Sequence, residues 1–268
     1  GFLINDIERI KTSYNMKERI RKETGFKGSI NMYLHHLCHV ASAYYPSGFS
    51  DSLLVSFDGM GEIGTTMIAS GSDGEIKILH DNNRYPDSLG LIYSAITFFL
   101  GWKHHCDEGI IMGLAPYGNP YEKIPGQQST YLDIFEKIIV EDGKYDFKIH
   151  KDWISYHIKR DVWVSDKFIE VFGPKRNYDS ELTNHHKNIA AALQLRLETV
   201  VLNQLRNARD EFGFNKLCIA GGVGLNCSLN GKIESSKIFD EIFVQPASGD
   251  DGVTFGACLL ASKNYKGD

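Results

Sequence analysis

Apolar residues recur every three or four positions in several segments of the chain, a spacing typical of helices with one buried face. The longest such segment predicts a helix over 184–211. Another helix is predicted to carry the histidines of 35–39 and to stop near Pro46. Ser88 and Gly101 flank a third, as its expected N-cap and its C-terminal stop. The same spacing predicts further helices at 2–24, 131–140, 225–230 and 254–262.

Short apolar runs bounded by turn residues predict strands at 52–57, 65–69, 75–79, 216–220 and 241–245. Gly71-Ser72-Asp73-Gly74 separates the second and third runs and predicts a hairpin. Towards the C-terminus, strand, glycine loop and helix alternate, which predicts an α/β architecture with ligand loops at the C-terminal ends of strands. Residues 107–118 predict a compact loop, and the weakly patterned segment 119–182 predicts a connecting or inserted region.

Composition and charge exclude some classes of function. The chain has 42% hydrophobic residues and a formal net charge of -5, as ordinary globular proteins do. The acidic balance and the lack of a basic stripe predict no nucleic-acid partner. Apolar runs stay below the roughly 20 residues that span a bilayer, which predicts no membrane segment. Five cysteines without a Cys-X-X-Cys pair predict reduced thiols in a cytoplasmic protein.

The first candidate site is the pair His35 and His39, which lie one helical turn apart and can present two imidazoles to one metal ion. Alone, such a pair is more often structural, and His36 stands where a metalloprotease requires glutamate. The apolar run 53–57 ends at Asp58-Gly59-Met60-Gly61-Glu62. A carboxylate at a strand end followed by glycines suits a metal–phosphate site, and a tight turn has the same pattern. Together, the two motifs predict a nucleotide or acyl phosphate held beside a metal.

Other motifs leave alternatives open. Gly221-Gly222-Val223-Gly224-Leu225-Asn226 is either a strand-to-helix turn or a nucleotide-cradling loop, and it is not a Walker loop because no Gly-Lys-Ser/Thr follows. Asp250 and Asp251 are either the N-cap and a first-turn residue of a helix, or Asp250 is a metal ligand. His104 and His105 are interpreted as surface residues.

The chain resembles the O-carbamoyltransferases of nodulation-factor and antibiotic biosynthesis, whose catalytic domain is similar to the universal tRNA threonylcarbamoyladenosine synthase. The resemblance rests on HHLCHVASAYYPSGF (35–49), SFDGMGE (56–62), DEGIIMGLAPYG (107–118), GGVGLNCSLNGKI (221–233) and FVQPASGDDGVTFGA (243–257). These blocks occur in the family's order and span most of the chain from residue 30 onward.

This resemblance implies an actin/Hsp70-like (ASKHA) fold with ribonuclease-H-like lobes around a nucleotide cleft. Residues 1–268 would be a partial catalytic domain, in which 1–120 continue the first lobe, 119–182 connect or are inserted, and 183–268 form the second lobe. The fold is expected to be incomplete at its N-terminus, and the carbamoyl-adenylate-forming C-terminal domain of the family is expected to be absent. Ile110 stands where the family usually has lysine.

The resemblance also implies a set of site residues. A divalent metal, Fe(II) first and Zn or Mn as alternatives, would be held by His35, His39, Asp58 and Asp250. Asp58 and Glu108 would be catalytic, with Glu108 near the acceptor hydroxyl. ATP or carbamoyl-adenylate would bind to a set of loop residues, namely Gly59, Gly61, Glu62, Gly221, Gly222, Val223 and Asn226.

The implied reaction transfers a carbamoyl group from carbamoyl-adenylate, made from carbamoyl phosphate and ATP, to a hydroxyl of a sugar or small-molecule natural product. The implied partners are that acceptor, an activating domain supplied in trans, and a second copy in a homodimer. Two other functions stay open. The chain could be an ATP-dependent small-molecule kinase or ATPase of the same superfold, or a non-catalytic, truncated nucleotide-binding module.

Overall fold

The computed structural model describes residues 15–264. Its α-helices are α1 (Met16–Thr24), α2 (His35–Ser47), α3 (Leu89–Phe99), α4 (Glu108–Leu114), α5 (Tyr131–Ile138), α6 (Asp166–Phe172), α7 (Asn184–Phe212), α8 (Cys227–Ser236) and α9 (Asp251–Asn264). Its strands are β1 (Asp51–Phe57), β2 (Thr66–Ser72), β3 (Glu75–His80), β4 (Ile139–Asp142), β5 (Asp146–Ile149), β6 (Lys216–Ala220) and β7 (Glu241–Val244). Short 3₁₀ helices lie at Ala115–Tyr117, Lys151–Trp153 and Gly222–Leu225.

A five-stranded sheet with the order β3-β2-β1-β6-β7 organises the fold. β1 runs antiparallel to β2 on one side and parallel to β6 on the other. Leu53 and Val55 of β1 pack into one hydrophobic cluster and Leu54 into another, so the strand is covered on both faces and reads as a continuous apolar run. The strand order is that of a ribonuclease-H-like lobe, and the predicted α/β class is confirmed.

Several local signals produce the elements that they predict. Asp73 and Gly74 join β2 to β3 with φ angles of 49° and 77°, the left-handed pair that a tight hairpin turn requires. Ser88 Oγ accepts a hydrogen bond from the Leu91 amide at 3.0 Å and thereby caps α3. The long periodic segment forms α7, which ends at Gly213 in the left-handed conformation.

The segment 119–182 is part of the main core. It forms α5, the hairpin β4–β5 and α6, and its Phe135, Phe147 and Phe168 lie in the same hydrophobic cluster as Leu53 and Val55. Strands expected from the first and the second lobe share one sheet, because β1 and β6 form a parallel ladder. The described residues are therefore not divided into two lobes and a connection in the expected way.

Two other segments differ from their predictions. Residues 107–118, predicted as a loop, form α4 and a 3₁₀ turn that pack against α7. At Gly118 a Cβ atom would lie 2.8 Å from the Asn188 nitrogen of α7, so this segment is in close tertiary contact with α7. Such contact stabilises a helix that is too short and too rich in glycine to be predicted from its own sequence. Residues 2–14 of the first predicted helix lie outside the described residues. Within 15–264, none of the helices has the length and the apolar character needed to cross a membrane.

The chain path brings several ends to one edge of the sheet. α2 ends at Gly48, with φ of 73°, and the chain reverses into β1, so the first turn of α2 lies beside the C-terminal end of β1. β6 and β7 run parallel to β1, so the loops that follow them emerge at the same edge. Ligand sites of open α/β sheets lie at this edge.

Candidate functional site

The residues predicted as metal ligands meet at this edge. His35 Nε2 lies 3.0 Å from His39 Nε2 and 3.0 Å from Asp58 Oδ2. Asp250 Oδ1, from the loop after β7, lies 3.5 Å from His35 Nε2 and 3.8 Å from His39 Nε2. All four donor atoms lie within 4.8 Å of one another, and no second group of this kind occurs within residues 15–264.

These separations fit a single metal ion. Bonds of about 2.1 Å place two ligand atoms roughly 3.0 Å apart at a right angle and roughly 3.4 Å apart at a tetrahedral angle. A donor set of two imidazoles and two carboxylates suits Fe(II), Zn or Mn. The Asp250 side chain is 81% exposed, so the cluster is open to solvent on its side.

Asp58 is the buried centre of the cluster. Its Oδ1 accepts a hydrogen bond from the Gly222 amide at 2.8 Å, which leaves Oδ2 for the two histidines. Burial acts to raise the pKa of Asp58, but hydrogen bonds from His35, His39 and the Gly222 amide outweigh it and hold that pKa well below its usual range. The hydrogen bond to Asp58 raises the pKa of His35, against partial burial. Asp58 is therefore ionised at neutral pH, the form that binds a metal.

The loop that follows Asp58 divides into two parts. Gly59 and Met60 line a cleft, whereas Gly61 and Glu62 lie outside its lining. Glu62 Oε1 accepts a hydrogen bond from the His35 amide at 3.2 Å, and a Cβ atom on Gly61 would lie 2.9 Å from His35 Cβ. Gly61 and Glu62 thus fasten the start of α2, because the loop turns back onto that helix, and their cofactor contacts stay a prediction.

The cleft beside the cluster has a volume of about 760 Å³. Cofactor and small-molecule sites typically occupy about 300–1,000 Å³. Asp58 and Asp250 form part of its wall. Other predicted site residues in the lining are Gly59, Glu108, Gly222, Val223 and Asn226. One end of the cleft therefore adjoins the candidate metal ligands.

Gly221 lies behind this wall and is absent from the lining. Its φ is 89°, and a Cβ atom there would lie 2.7 Å from the Phe57 carbonyl carbon. Only glycine allows β1 and β6 to end in such close contact. This contact brings the Gly222 amide to Asp58, so Gly221 acts through the backbone and not as a cofactor contact.

Asn226 belongs to a buried amide network. Its Oδ1 accepts from the Leu229 amide, which caps α8, and from Gln194 Nε2, while its Nδ2 donates to Gln194 Oε1. Gln194 also accepts from Tyr93 Oη at 2.9 Å and donates to Glu198 Oε1 at 2.7 Å. Both acceptor positions of the Asn226 oxygen are occupied, and Nδ2 uses one of its two N–H groups for Gln194. Asn226 therefore holds the glycine loop and keeps one N–H that can donate to a ribose or phosphate oxygen.

The start of α4 supplies another part of the lining. Glu108 Oε1 accepts hydrogen bonds from Ser94 Oγ at 2.5 Å and from the His105 amide at 2.6 Å. His105 and Cys106 line the cleft beside it. His105 is exposed, as the sequence predicted. Its place in the cleft lining was not predicted, because its left-handed backbone, with φ of 58°, has no signal in the residue pattern.

The chain is similar to several known proteins. It is 38% identical to nodulation protein NolNO of Sinorhizobium fredii over 237 residues, which are 87% of this chain and 31% of NolNO. It is 29% identical over 121 residues to the tRNA N6-adenosine threonylcarbamoyltransferase of Phocaeicola vulgatus, covering 44% of this chain and 32% of that protein. The crystal structure of full-length HypF in the phosphate- and nucleotide-bound form matches 91% of this chain and 44% of HypF, with a TM-score of 0.46 and 16% identity. No function follows from a structural likeness at that level.

The chain spans about a third of the length of the nodulation-protein relatives that it matches. The family model described as carbamoyltransferase N-terminus matches residues 4–259, a range that includes the four candidate ligands and the cleft. This match confirms the resemblance inferred from the sequence blocks. The chain belongs to the carbamoyltransferase N-terminus family.

Proposed function

We propose that this chain forms the metal and nucleotide side of a site that transfers a carbamoyl group from carbamoyl-adenylate to a hydroxyl of a sugar or small-molecule natural product. The observation that carries the proposal is the convergence of His35, His39, Asp58 and Asp250 at a cleft of nucleotide size. Membership of the carbamoyltransferase family supports the identity of the transferred group.

The four ligands would hold a divalent cation, with Fe(II) as the first choice. When bound, such an ion supplies Lewis-acid stabilisation of developing negative charge. The charge of the cleft lining indicates why a cation would be needed. The lining contains Asp58, Glu108, Asp250 and Asp251, and it has no lysine or arginine among the described residues. This acidic wall would repel the phosphates of a nucleotide unless a cation offsets it.

The chain's own residues bind and orient the reactants. Gly59 leaves the backbone open to close approach by a phosphate, since a Cβ atom there would meet only Leu91, at 3.9 Å. The amide network of Gln194 and Asn226 holds the loop that carries Gly222. Glu108 Oε1 is occupied by Ser94 and His105, so its second oxygen is the one that can contact the acceptor molecule.

The metal is tested with Asp250→Asn, which removes one ligand at an exposed position and leaves the core intact. Asp251→Asn is the matched control, because it removes an equal charge from the neighbouring residue without touching the ligand set. Elemental analysis should show a metal content that falls in Asp250→Asn and stays at the wild-type level in Asp251→Asn. Equal metal content in all three proteins would contradict the site.

The reaction is tested by supplying the metal-loaded full-length protein with carbamoyl-adenylate and with glucose and glycerol as hydroxyl probes. Mass spectrometry should detect the gain of a carbamoyl group on a probe, or faster release of AMP with water as the acceptor. Gain of a phosphoryl group from ATP would instead favour a kinase. Binding of ADP without any turnover would favour a non-catalytic module, and either result would overturn the proposal.

A further inference from the structure

The cleft lining at the start of α4 contains groups that the metal site does not use. His105, Cys106 and Glu108 all line the cleft there. Transfer to a hydroxyl requires a group that removes the hydroxyl proton, and such a group must reach the reacting oxygen from a fixed position. The proposed metal ligands cannot serve, since their donor atoms point at one another.

His105 is held in place by its backbone and by its ring. Its φ of 58° lies in the left-handed region, where a residue other than glycine is strained and persists because its surroundings impose it. Its amide donates to Glu108 Oε1 at 2.6 Å, and its ring lies against that of Trp163, with centroids 5.4 Å apart and planes at 65°. Neither ring nitrogen has a hydrogen-bond partner within residues 15–264. The result is a positioned imidazole with free nitrogens in the cleft.

Three other titratable groups of the lining are poorer bases than His105. Tyr93 donates its hydroxyl to Gln194, and burial raises its pKa far above the usual range, so it stays protonated. Glu108 Oε1 already accepts two short hydrogen bonds, from Ser94 Oγ and from the His105 amide. Cys106 is exposed, and no hydrogen bond within the described part of the chain fixes its thiol.

We propose that His105 is the general base that accepts the proton of the acceptor hydroxyl, with Glu108 as the residue that positions it. This inference rests on the proposed carbamoyl transfer. In the step, the hydroxyl O–H bond breaks and its proton moves to the unprotonated ring nitrogen of His105. The hydroxyl oxygen forms a bond to the carbamoyl carbon, and the bond from that carbon to the phosphate oxygen breaks, so that AMP leaves with the electron pair. The imidazolium then returns its proton to water.

Two substitutions remove the imidazole and keep the backbone. Glycine adopts a positive φ freely, and asparagine tolerates it better than most residues, so His105→Gly and His105→Asn are expected to fold. The assay follows AMP release from carbamoyl-adenylate by the metal-loaded full-length protein, with glucose and glycerol as hydroxyl probes. His150→Gln is the matched control, because His150 is an exposed histidine outside the cleft lining.

The expected result is a fall in kcat of about 10²–10⁴-fold in both His105 variants, the range that general bases contribute. Added imidazole should restore part of the activity of His105→Gly, and the rise of kcat with pH should disappear in His105→Asn. Metal content and ADP binding should stay at wild-type levels. Glu108, Asp161 and Lys103 act electrostatically on the adjacent His104, so the pH profile is compared between variants.

The outcomes separate this inference from the function on which it rests. If the wild-type protein does not accelerate AMP release, the proposed carbamoyl transfer is rejected, and the role of His105 is rejected with it. If the wild type is active and His105→Asn has the same kcat and pH profile, the general-base role of His105 is rejected. The proposed carbamoyl transfer then still stands. Loss of activity without imidazole rescue and with an unchanged pH profile assigns His105 a structural role, which also overturns the proposal.

Discussion

Gly256 of α9 lies directly on the backbone of α2, and this contact links the fold to the candidate metal site. A Cβ atom at position 256 would lie 2.7 Å from the carbonyl carbon of Cys38 and 3.0 Å from its Cα. Carbon atoms in ordinary contact are about 3.5–4.0 Å apart, so Gly256→Ala must separate the two helices by roughly 1 Å. The opposing atoms are backbone, and they cannot rotate out of the way.

Overpacking costs about 1–3 kcal/mol, and the upper part of that range, about 2–3 kcal/mol, applies here because the opposing atoms are backbone. This cost outweighs the gain of about 1 kcal/mol from placing alanine instead of glycine in a helix. The expected net loss is about 1–2 kcal/mol, or a fall in Tm of about 2–8 °C at about 2–4 °C per kcal/mol. Asp250 directly precedes α9 and would move away from His35 with it. Metal affinity should therefore fall by about tenfold or more.

Urea denaturation followed by circular dichroism measures the first effect, and competition with a chelator measures the second. Gly231→Ala is the control, since a Cβ atom there meets nothing within 4 Å on the exposed side of α8. This control should stabilise the protein by about 0.5–1 kcal/mol. Substitution of glycine by alanine is thus expected to destabilise the protein at position 256 and to stabilise it at position 231. Equal stability of Gly256→Ala and wild type would refute the close contact between α2 and α9.

Four other predictions concern the site. Asp58→Asn keeps the size of the side chain but removes the central carboxylate, so elemental analysis should find little metal, and undiminished metal would count against the cluster. Metal affinity should rise with pH through the raised pKa of His35, because the protonated imidazole cannot bind; a pH-independent affinity in calorimetric titrations would contradict this. In the metal-free protein the same shift stabilises the fold below the unfolded-state pKa of 6.5, and urea midpoints should fall as the pH rises through the folded value. Gln194→Leu leaves Asn226 and the buried Glu198 without their partner, which should cost about 1–3 kcal/mol and weaken ADP binding; wild-type values of both would exclude a role for the network.

Much of the site could be predicted because its signals are local. His35 and His39 share a helix face by spacing alone, and Asp58 ends an apolar strand whose buried run is visible in the chain. The hairpin turn at Asp73 and Gly74 likewise depends on the φ angles that those residue types allow. None of these features needs a distant partner to be recognised.

Other features have no local signal. Gly61 and Gly221 look like phosphate-loop glycines, but they lack side chains because His35 and the Phe57 backbone occupy the space. Asn226 looks like a residue free to contact a ligand, but its amide also pairs with that of Gln194, from α7. The expected separation of strands into two lobes gave way to one sheet, because hydrogen bonding between β1 and β6 joins segments more than 150 residues apart.

The amino-acid sequence by itself determined the helices and strands with strong periodicity, their caps and turns, the family, and the four residues with metal-binding chemistry, since each depends on residue type and short-range spacing. Only the tertiary structure decided that Asp250 reaches the two histidines, that His105 lines the cleft, and which glycines serve packing. Those outcomes depend on how strand order and chain reversals bring distant segments to one edge of the sheet, and no short-range pattern encodes that arrangement.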